Sequence, residues 1–215
     1  MKEGGHYTVQ YFREHYGSRL YQLYLRMRNA CIYRAVRAYK PSGRLLEIGF
    51  GNGNLIRTFA RRFECYGVDV SPAALQALRE EMGLVDWERF QLCDVEREPI
   101  PFDVAFDVVC ALNVVEHFFD PRLVLERVHR TLAPGGVFAL YLPTRSNRLS
   151  RWLYRRLYDV EEHVYRPSVS EVRALLRAVG FRPCRELAAH LFPLFVSLES
   201  VMEATNLYFG IWQKV

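Results

Sequence analysis

The sequence places an acidic side chain directly before a glycine-rich turn. Leu45, Leu46 and Ile48 form a short apolar run that is typical of a strand buried on both faces, and Glu47 lies near its end. Glycines follow at positions 49, 51 and 53. They allow backbone conformations that other residues resist and let a ligand lie against the main chain. The pattern therefore indicates either a loop that binds part of a nucleotide-like ligand or a tight strand-to-helix turn without one.

Two further strand-like runs end in acids. Asp69 ends the run from Cys65, about 20 residues after the first glycine, the offset at which an acid meets ribose hydroxyls in dinucleotide folds. Asp94 ends the run from Phe90. Because the carboxyl ends of parallel strands meet at one edge of an open sheet, we expect both acids and Glu47 to line one site. The alternatives are that Asp69 caps the next helix and that Asp94 is an exposed turn acid.

The three acids can line one site only if the strands before them run parallel in one sheet, and parallel strands alternate with helices along the chain. The predicted elements are strands over 45–48, 65–70, 90–94, 105–111, 137–142, 182–188 and 207–214, and helices over 55–63, 73–82, 121–132 and 168–179. Pro134, Gly135 and Gly136 are expected to end a helix before the next strand, and Gly180 to end the last helix. The alternation predicts an α/β fold with a doubly wound, mostly parallel sheet.

Several short motifs follow one another in order along the chain. They are Asp69 before Ser71-Pro72, Asp94-Val95 before Ile100-Pro101-Phe102, Phe106-Asp107-Val108-Val109 leading to Val115-Glu116-His117, Leu132-Ala133-Pro134-Gly135-Gly136, and Ala178-Val179-Gly180-Phe181. With the acid and G-x-G-x-G at the start, the series resembles the class I S-adenosylmethionine-dependent methyltransferases over about residues 40 to 190. A nicotinamide enzyme fits less well, because its pyrophosphate cradle is usually G-x-G-x-x-G and would not favour an acid at position 47.

The resemblance implies a Rossmann-like methyltransferase fold in one domain, 1–215. Its sheet has seven strands with an antiparallel strand near the end, here 207–214. An N-terminal helical addition and a helical insertion after the fifth strand complete it. The implied parts are an N-terminal helical lid or cap (1–40), a cofactor-binding core (41–144), a substrate-side insertion (145–167), and a C-terminal helix with closing strands (168–215).

The same resemblance implies S-adenosyl-L-methionine as the cofactor and S-adenosyl-L-homocysteine as its product. It places Glu47 and the glycines at the methionine end, Asp69 against both ribose hydroxyls, and Asp94 against the adenine amino group. The implied cofactor-binding residues are Glu47, Gly49, Gly51, Asn52, Gly53, Asp69, Val70, Asp94, Val95, Ala111, Leu112 and Asn113.

Two histidines are the candidate catalytic residues. The sulfonium already activates its methyl group, so the enzyme must align a nucleophile and exclude water. A phenol or hydroxyl must also lose its proton, and histidine is the usual base. His117 and His163 are the candidates; for His117 the alternative is a ring that fastens the turn after the fourth strand. No C-x-x-C pair indicates zinc, and the sequence predicts no metal site.

Two additions to the core are expected to face the substrate. Tyr11 and Tyr16 are the candidates for an N-terminal helix that closes over the cofactor, with core packing as the alternative. Arginines interleave with apolar residues over 145–165, and Trp152, an apolar position, and Arg155 are the candidate substrate-facing residues there. The pattern predicts an amphipathic helix with a basic face. This face is either simply solvated, a lid for an anionic substrate, or a surface for lipid or nucleic acid.

The charge and the cysteine content indicate which binding partners and which cellular compartment to expect. Residues 1–40 carry a net charge of +6, residues 41–144 carry −5, and residues 145–215 carry +4. The overall charge of +5 is modest for an RNA-binding protein, so nucleic acid is disfavoured. Five widely spaced cysteines and a charged, tyrosine-rich start without an apolar signal favour a cytoplasmic protein.

The leading hypothesis is therefore a methyltransferase that modifies a small molecule, with oxygen favoured as the acceptor atom. Carbon, nitrogen and RNA acceptors stay open. The acceptor could be anionic or lipid-like, in which case the protein would contact a membrane surface peripherally. The alternative from another class is a non-catalytic binding or scaffold subunit with the same fold. No oligomeric state is predicted.

Overall fold

Seven strands form one sheet in the computed structural model, which describes residues 19–82, 86–157, 163–188 and 207–215. They are β1 (Gly43–Ile48), β2 (Phe63–Asp69), β3 (Phe90–Leu92), β4 (Phe106–Leu112), β5 (Leu132–Pro143), β6 (Phe181–Ala188) and β7 (Leu207–Lys214). Their order across the sheet is β3-β2-β1-β4-β5-β7-β6. The first five strands run parallel, and β7 is antiparallel to both β5 and β6. The predicted sheet is confirmed.

Helices flank the sheet and connect its parallel strands. They are α1 (Arg19–Arg37), α2 (Asn54–Phe59), α3 (Pro72–Met82), α4 (Pro121–Thr131), α5 (Arg148–Leu157) and α6 (Val169–Val179), with 3-10 helices at Trp87–Arg89 and Val115–His117. The predicted caps of α6 are present. Ser168 Oγ accepts from the Glu171 N–H, the Glu171 side chain accepts from the Ser168 N–H, and Gly180 ends the helix with a left-handed backbone.

The direction of winding reverses next to β1. From β1 the chain moves outward through β2 and β3, and it then returns to place β4 on the other side of β1. Ile48 at the end of β1 therefore pairs with Val68 on one side and Ala111 on the other. Open α/β sheets bind ligands in the crevice at such a reversal, beyond the carboxyl ends of the strands.

Apolar side chains bury both faces of the sheet and hold this edge in place. Ile32, Phe59 and Leu78 belong to the core on the face covered by α1, α2 and α3. Val128 and Leu176 belong to the core on the face covered by α4 and α6. All five are fully buried, and each contributes roughly 1.5–3 kcal/mol of hydrophobic stabilisation.

Two boundaries differ by four or five residues from the sequence-based expectation. Helix α2 ends at Phe59 rather than at residue 63, because Phe63 already belongs to β2 and its ring packs on Phe59 with centroids 5.3 Å apart. The strand predicted over 137–142 begins earlier, at Leu132, and runs through the Pro-Gly-Gly sequence. Its register with β4 shifts near that point, and Gly135 accommodates the irregularity with a φ of 68°.

The two predicted additions are described to different extents. Helix α5 follows β5, as the predicted insertion requires. Tyr11 and Tyr16 lie outside the described residues. None of the helices that the structure describes is both long enough and apolar enough to cross a bilayer.

Candidate functional site

The glycine-rich turn packs against the segment that follows β4. Gly49, Gly51 and Gly53 have φ values of 72°, 55° and 75°, which disfavour residues with a Cβ. A Cβ built on Gly49 would lie 2.2 Å from Val114 Cγ2. The turn therefore brings its main chain to the sheet edge and leaves no room there for a side chain at position 49.

Glu47 is a buried acid at this edge. Glu47 is only 4% exposed, and its Oε2 has no hydrogen-bond partner among the described residues. Burial raises the pKa of the Glu47 carboxyl well above its usual range, the positive charge of Arg28 lowers it, and the charge of Asp69 raises it further. A buried carboxylate oxygen without a partner is costly, so a cationic ligand group would be favourable beside Oε2.

Helix α1 brings a cation, Arg28, and a phenol, Tyr24, to the same region, where they meet Tyr141 of β5. The Arg28 guanidinium donates to Asn29 Oδ1 at 3.1 and 3.0 Å and lies 5.4 Å from the centre of the Tyr141 ring. The Tyr24 and Tyr141 hydroxyls are 3.1 Å apart. No motif or spacing in the sequence indicated that Arg28 acts on Glu47.

Asp69 joins the first two loops of the site. Its Oδ2 accepts from the Gly51 N–H at 2.9 Å, and its Oδ1 accepts from the Ser71 N–H at 2.9 Å. Burial raises the pKa of Asp69, and the bonds from Gly51, Ser71 and Val70 lower it. Each carboxylate oxygen can accept more than one hydrogen bond, so acceptor capacity remains for a pair of ligand hydroxyls.

Asp94 closes a turn at the end of the third strand. Its Oδ1 accepts from the Glu96 N–H at 3.0 Å, and the Arg97 Nε lies 3.5 Å from its Oδ2. Its side chain is only 12% exposed, and the neighbouring Val95 is buried. The turn role considered from the sequence is therefore present, and a contact with an adenine amino group stays a prediction.

The chain leaves β4 through a strained residue. Ala111 and Leu112 are buried, whereas Asn113 is exposed and adopts a φ of 53°, the one non-glycine among the described residues with a positive φ. The Asn113 N–H donates to the Tyr141 carbonyl at 2.8 Å. Strain of this kind concentrates at ligand sites.

The remaining predicted cofactor residues occupy the same two loops. Asn52 is buried, and its Oδ1 accepts from the Asn54 Nδ2 at 2.8 Å. Val70 is half-buried between Asp69 and Ser71. Both lie at the sheet edge, and their contact with a cofactor stays a prediction.

The two candidate catalytic histidines are neighbours although 46 positions separate them in the sequence. The ring centroids of His117 and His163 are 4.8 Å apart, and the rings meet edge to face. Tyr154 on α5 lies with its hydroxyl 2.9 Å from His163 Nδ1. The Tyr165 N–H donates to the Glu116 carbonyl at 2.9 Å and fixes the 163–167 segment against the 3-10 helix.

Glu116 completes this group as a buried acid. The residue is 1% exposed, and its Oε2 has no hydrogen-bond partner within the described part of the chain. Burial raises the pKa of Glu116 to about 8. One ligand atom each from Glu116, His117 and His163 lies within 4.8 Å of the others. We call these three residues the Glu-His-His cluster.

Helix α5 reaches this cluster through a residue other than the predicted ones. Tyr154 is fully buried, whereas Trp152 and Arg155 lie on the exposed side of the helix. The substrate roles of Trp152 and Arg155, like those of Tyr11 and Tyr16, stay predictions. Helical spacing could have separated the buried and exposed faces of α5. It could not reveal that the buried face meets His163.

Comparison with known families gives a match over most of the chain. The sequence profile of a family described as a methyltransferase domain matches residues 2–186.

Curated relatives include named methyltransferases. A probable S-adenosylmethionine-dependent methyltransferase of Mycolicibacterium smegmatis is 33% identical over 158 residues, covering 72% of this chain and 58% of the relative. A probable chloroplastic tocopherol O-methyltransferase of Oryza sativa is 31% identical over 58% of this chain and 33% of its own length. A ubiquinone biosynthesis O-methyltransferase of Psychrobacter cryohalolentis is 34% identical over 45% of this chain and 39% of its own length. The chain thus spans about one third to three fifths of the length of these relatives.

Solved structures share the fold at lower identity. A Thermotoga maritima S-adenosylmethionine-dependent methyltransferase, described as a possible histamine N-methyltransferase, has a TM-score of 0.66 and 20% identity, covering 95% of this chain and 99% of the other. An amino pentose methyltransferase from Micromonospora echinaspora, solved with S-adenosylmethionine bound, has a TM-score of 0.63 and 18% identity. The match covers 92% of this chain and 98% of the other.

Proposed function

Since the chain belongs to the class I S-adenosylmethionine-dependent methyltransferases, we propose that it transfers a methyl group from this cofactor to a hydroxyl oxygen of a small-molecule acceptor. The observation that carries the proposal is the strand edge at which buried Glu47, Asp69 and the glycine turn meet beside two neighbouring histidines. The matched relatives extend beyond the matched segments, so the activity of the whole protein is part of the proposal.

The edge fits the cofactor in its charges and in its shape. The unpartnered Oε2 of Glu47 would accept from the ammonium group, and the Gly49–Gly53 turn would offer its main chain to the methionine end. Asp69 would accept from both ribose hydroxyls through its remaining lone pairs, in charge-assisted hydrogen bonds. The sulfonium supplies a methyl group that is already activated for transfer.

The histidines supply the remaining requirement, the removal of a proton from the acceptor. Val114 contacts Gly49, so the 3-10 helix that carries His117 begins next to the cofactor turn. The ring of His163 faces the ring of His117, with 4.8 Å between their centroids. In the metal-free protein, we propose that one of these imidazoles takes the acceptor proton as the oxygen attacks the methyl carbon. The O-methyltransferase names of the rice and Psychrobacter relatives support oxygen as the acceptor atom.

The exposed face of α5 bears on the class of acceptor. Four arginines, at positions 148, 151, 155 and 156, are exposed there together with Leu149 and Trp152. A basic face with exposed apolar groups attracts anionic or lipid-like molecules and anionic membrane surfaces. We therefore favour an anionic or lipid-like acceptor. The five unpaired cysteines support a reducing compartment such as the cytoplasm.

The proposal is tested first by cofactor binding and then by turnover. S-adenosylhomocysteine at 100 times its Kd should stabilise the protein by about 2.7 kcal/mol. Turnover is then measured as transfer of an isotopically labelled methyl group to a panel of phenolic acids, hydroquinones and long-chain hydroxy acids. Binding without transfer to any acceptor would favour a non-catalytic subunit. Transfer to nitrogen or carbon acceptors alone would contradict the choice of oxygen.

A further inference from the structure

The Glu-His-His cluster has the composition of a metal site. Two imidazoles and one carboxylate contribute ligand atoms that lie within 4.8 Å of one another. A tetrahedral ion about 2.1 Å from each ligand requires ligand atoms roughly 3.4 Å apart. Side-chain movements of about 1 Å would bring the three atoms to that spacing. This donor set suits divalent transition metals rather than the oxygen-seeking Mg²⁺ or Ca²⁺.

The buried carboxylate is an independent observation that points to a cation. Glu116 is 1% exposed, and its Oε2 has no hydrogen-bond partner among the residues that the structure describes. Burial without a partner is costly for an acid. A bound cation would offset its desolvation directly.

Tyr154 has the geometry of a residue that orients a metal ligand. Its hydroxyl lies 2.9 Å from His163 Nδ1. When Nδ1 donates to this hydroxyl, Nε2 carries the lone pair that binds a metal, and such outer partners fix both the ring and its tautomer. The bond from the Tyr165 N–H to the Glu116 carbonyl holds the two ligand-bearing segments together.

We propose that Glu116, His117 and His163 bind one divalent transition-metal ion, with Tyr154 as a positioning residue for His163. Three protein ligands leave at least one coordination position open, as in catalytic metal sites. If the proposed function holds, this position accepts the hydroxyl oxygen of the acceptor and lowers its pKa, and the proton passes to solvent water. The oxygen then bonds to the methyl carbon while the carbon–sulfur bond breaks, and its electron pair stays on the sulfur. In the metal-bound protein both imidazoles are ligands, and neither acts as the base.

Metal binding is measured directly on chelator-treated full-length protein. We expect Zn²⁺ to bind at one equivalent in calorimetry, and Co²⁺ to give visible absorption bands of an ion bound by nitrogen and oxygen. Glu116→Gln and His163→Gln should each weaken binding at least tenfold. Tyr154→Phe should weaken it about 10- to 100-fold, as removal of an outer partner does. Glu126→Gln is the matched control, because Glu126 pairs with Arg122 at 3.0 Å on the exposed face of α4.

The outcomes separate this inference from the proposed function. Saturable binding of one equivalent that Glu116→Gln and His163→Gln weaken, and that Glu126→Gln leaves unchanged, supports the site. No binding to the wild-type protein, or equal binding to all variants, overturns it. Binding of S-adenosylhomocysteine is measured on the same samples. It reports on the cofactor site whether or not a metal binds, and it also shows that each variant is folded.

Discussion

The Asp69 carboxylate accepts a hydrogen bond from the Gly51 N–H at 2.9 Å and thereby ties the end of β2 to the turn after β1. This contact joins the acid predicted to hold the ribose to the loop predicted to hold the methionine end of the cofactor. Its second oxygen is bonded to the Ser71 N–H, at the start of α3. One carboxylate therefore organises both loops before any ligand binds.

Asp69→Asn should weaken binding of S-adenosylhomocysteine. The amide keeps the size of the carboxylate but loses its charge and one acceptor oxygen, and hydrogen bonds to charged groups are worth about 1.5–3 kcal/mol. We expect Kd to rise roughly 10- to 150-fold in calorimetry. Asp103→Asn, at an exposed position before β4, is the matched control and should leave Kd unchanged. Equal affinity of both variants would exclude Asp69 from ribose binding.

The affinity for S-adenosylhomocysteine should depend on pH through Asp69. Burial raises its pKa in the free protein, and hydroxyl donors from a ribose would favour the ionised form. The contribution of Asp69 to binding is thus complete above this raised pKa, and it is lost as the pH falls through it. Calorimetry over a pH series should show the loss beginning above the usual range of an aspartate. In Asp69→Asn this part of the pH dependence should be absent.

Glu47→Gln should stabilise the protein without ligand and weaken cofactor binding. The folded-state pKa of Glu47 is raised, so near neutral pH the fold bears the cost of a buried acid, a cost that grows as the pH rises above the unfolded-state value. Glutamine removes this cost, and a gain of about 1 kcal/mol would raise Tm by roughly 2–4 °C. Thermal unfolding with and without S-adenosylhomocysteine measures both effects. A lower Tm without ligand would contradict this view of Glu47.

Gly49→Ala should destabilise the protein more than Gly135→Ala. Both glycines have a left-handed backbone, so both substitutions introduce backbone strain of about 1–2 kcal/mol. Only at Gly49 does the new Cβ clash, 2.2 Å from Val114 Cγ2, whereas at Gly135 the nearest side-chain atom is 3.7 Å away. Overpacking adds about 1–3 kcal/mol. Chemical denaturation measures the difference, and Val114→Ala should recover part of the loss only in the Gly49→Ala background.

Single substitutions of His117 and His163 by alanine should lower kcat without raising the Kd for S-adenosylhomocysteine. Removal of a base costs about 10²- to 10⁴-fold. His129→Gln is the control, because this histidine of α4 packs on Phe181 at the start of β6, with ring centroids 5.0 Å apart. Unchanged turnover after alanine replaces both His117 and His163 would remove the proton-transfer role from the pair. Single-turnover measurements of methyl transfer separate this effect from product release.

The sequence predicted the parts of the fold that depend on local signals. The caps Ser168 and Gly180 bound α6 as expected, and a closing strand lies over 207–214. Its antiparallel pairing with both neighbours was implied only by the family resemblance, and it is confirmed. Helix α2 was predicted too long, because Phe59 and Phe63 are both apolar and periodicity does not distinguish a helix end from the start of a strand.

The site was predictable only where its residues follow one another in a motif. Glu47 and Asp69 stand at fixed offsets from the glycines, so the sequence could predict that they lie at the same edge of the sheet. Glu116 and His163 meet because the 163–167 segment lies against the 3-10 helix that carries Glu116, and no spacing rule applies across such a separation in sequence. The absence of a C-x-x-C pair therefore said nothing about a metal site built in this way.

The most direct test is a crystal structure of the full chain with S-adenosylhomocysteine bound. We expect the two ribose hydroxyls within hydrogen-bond distance of the Asp69 carboxylate, the methionine end against the Gly49–Gly53 turn, and the sulfur facing the space before His117 and His163. An empty crevice at saturating ligand, or a ribose held away from Asp69, would contradict the proposed cofactor site and the mechanism that depends on it.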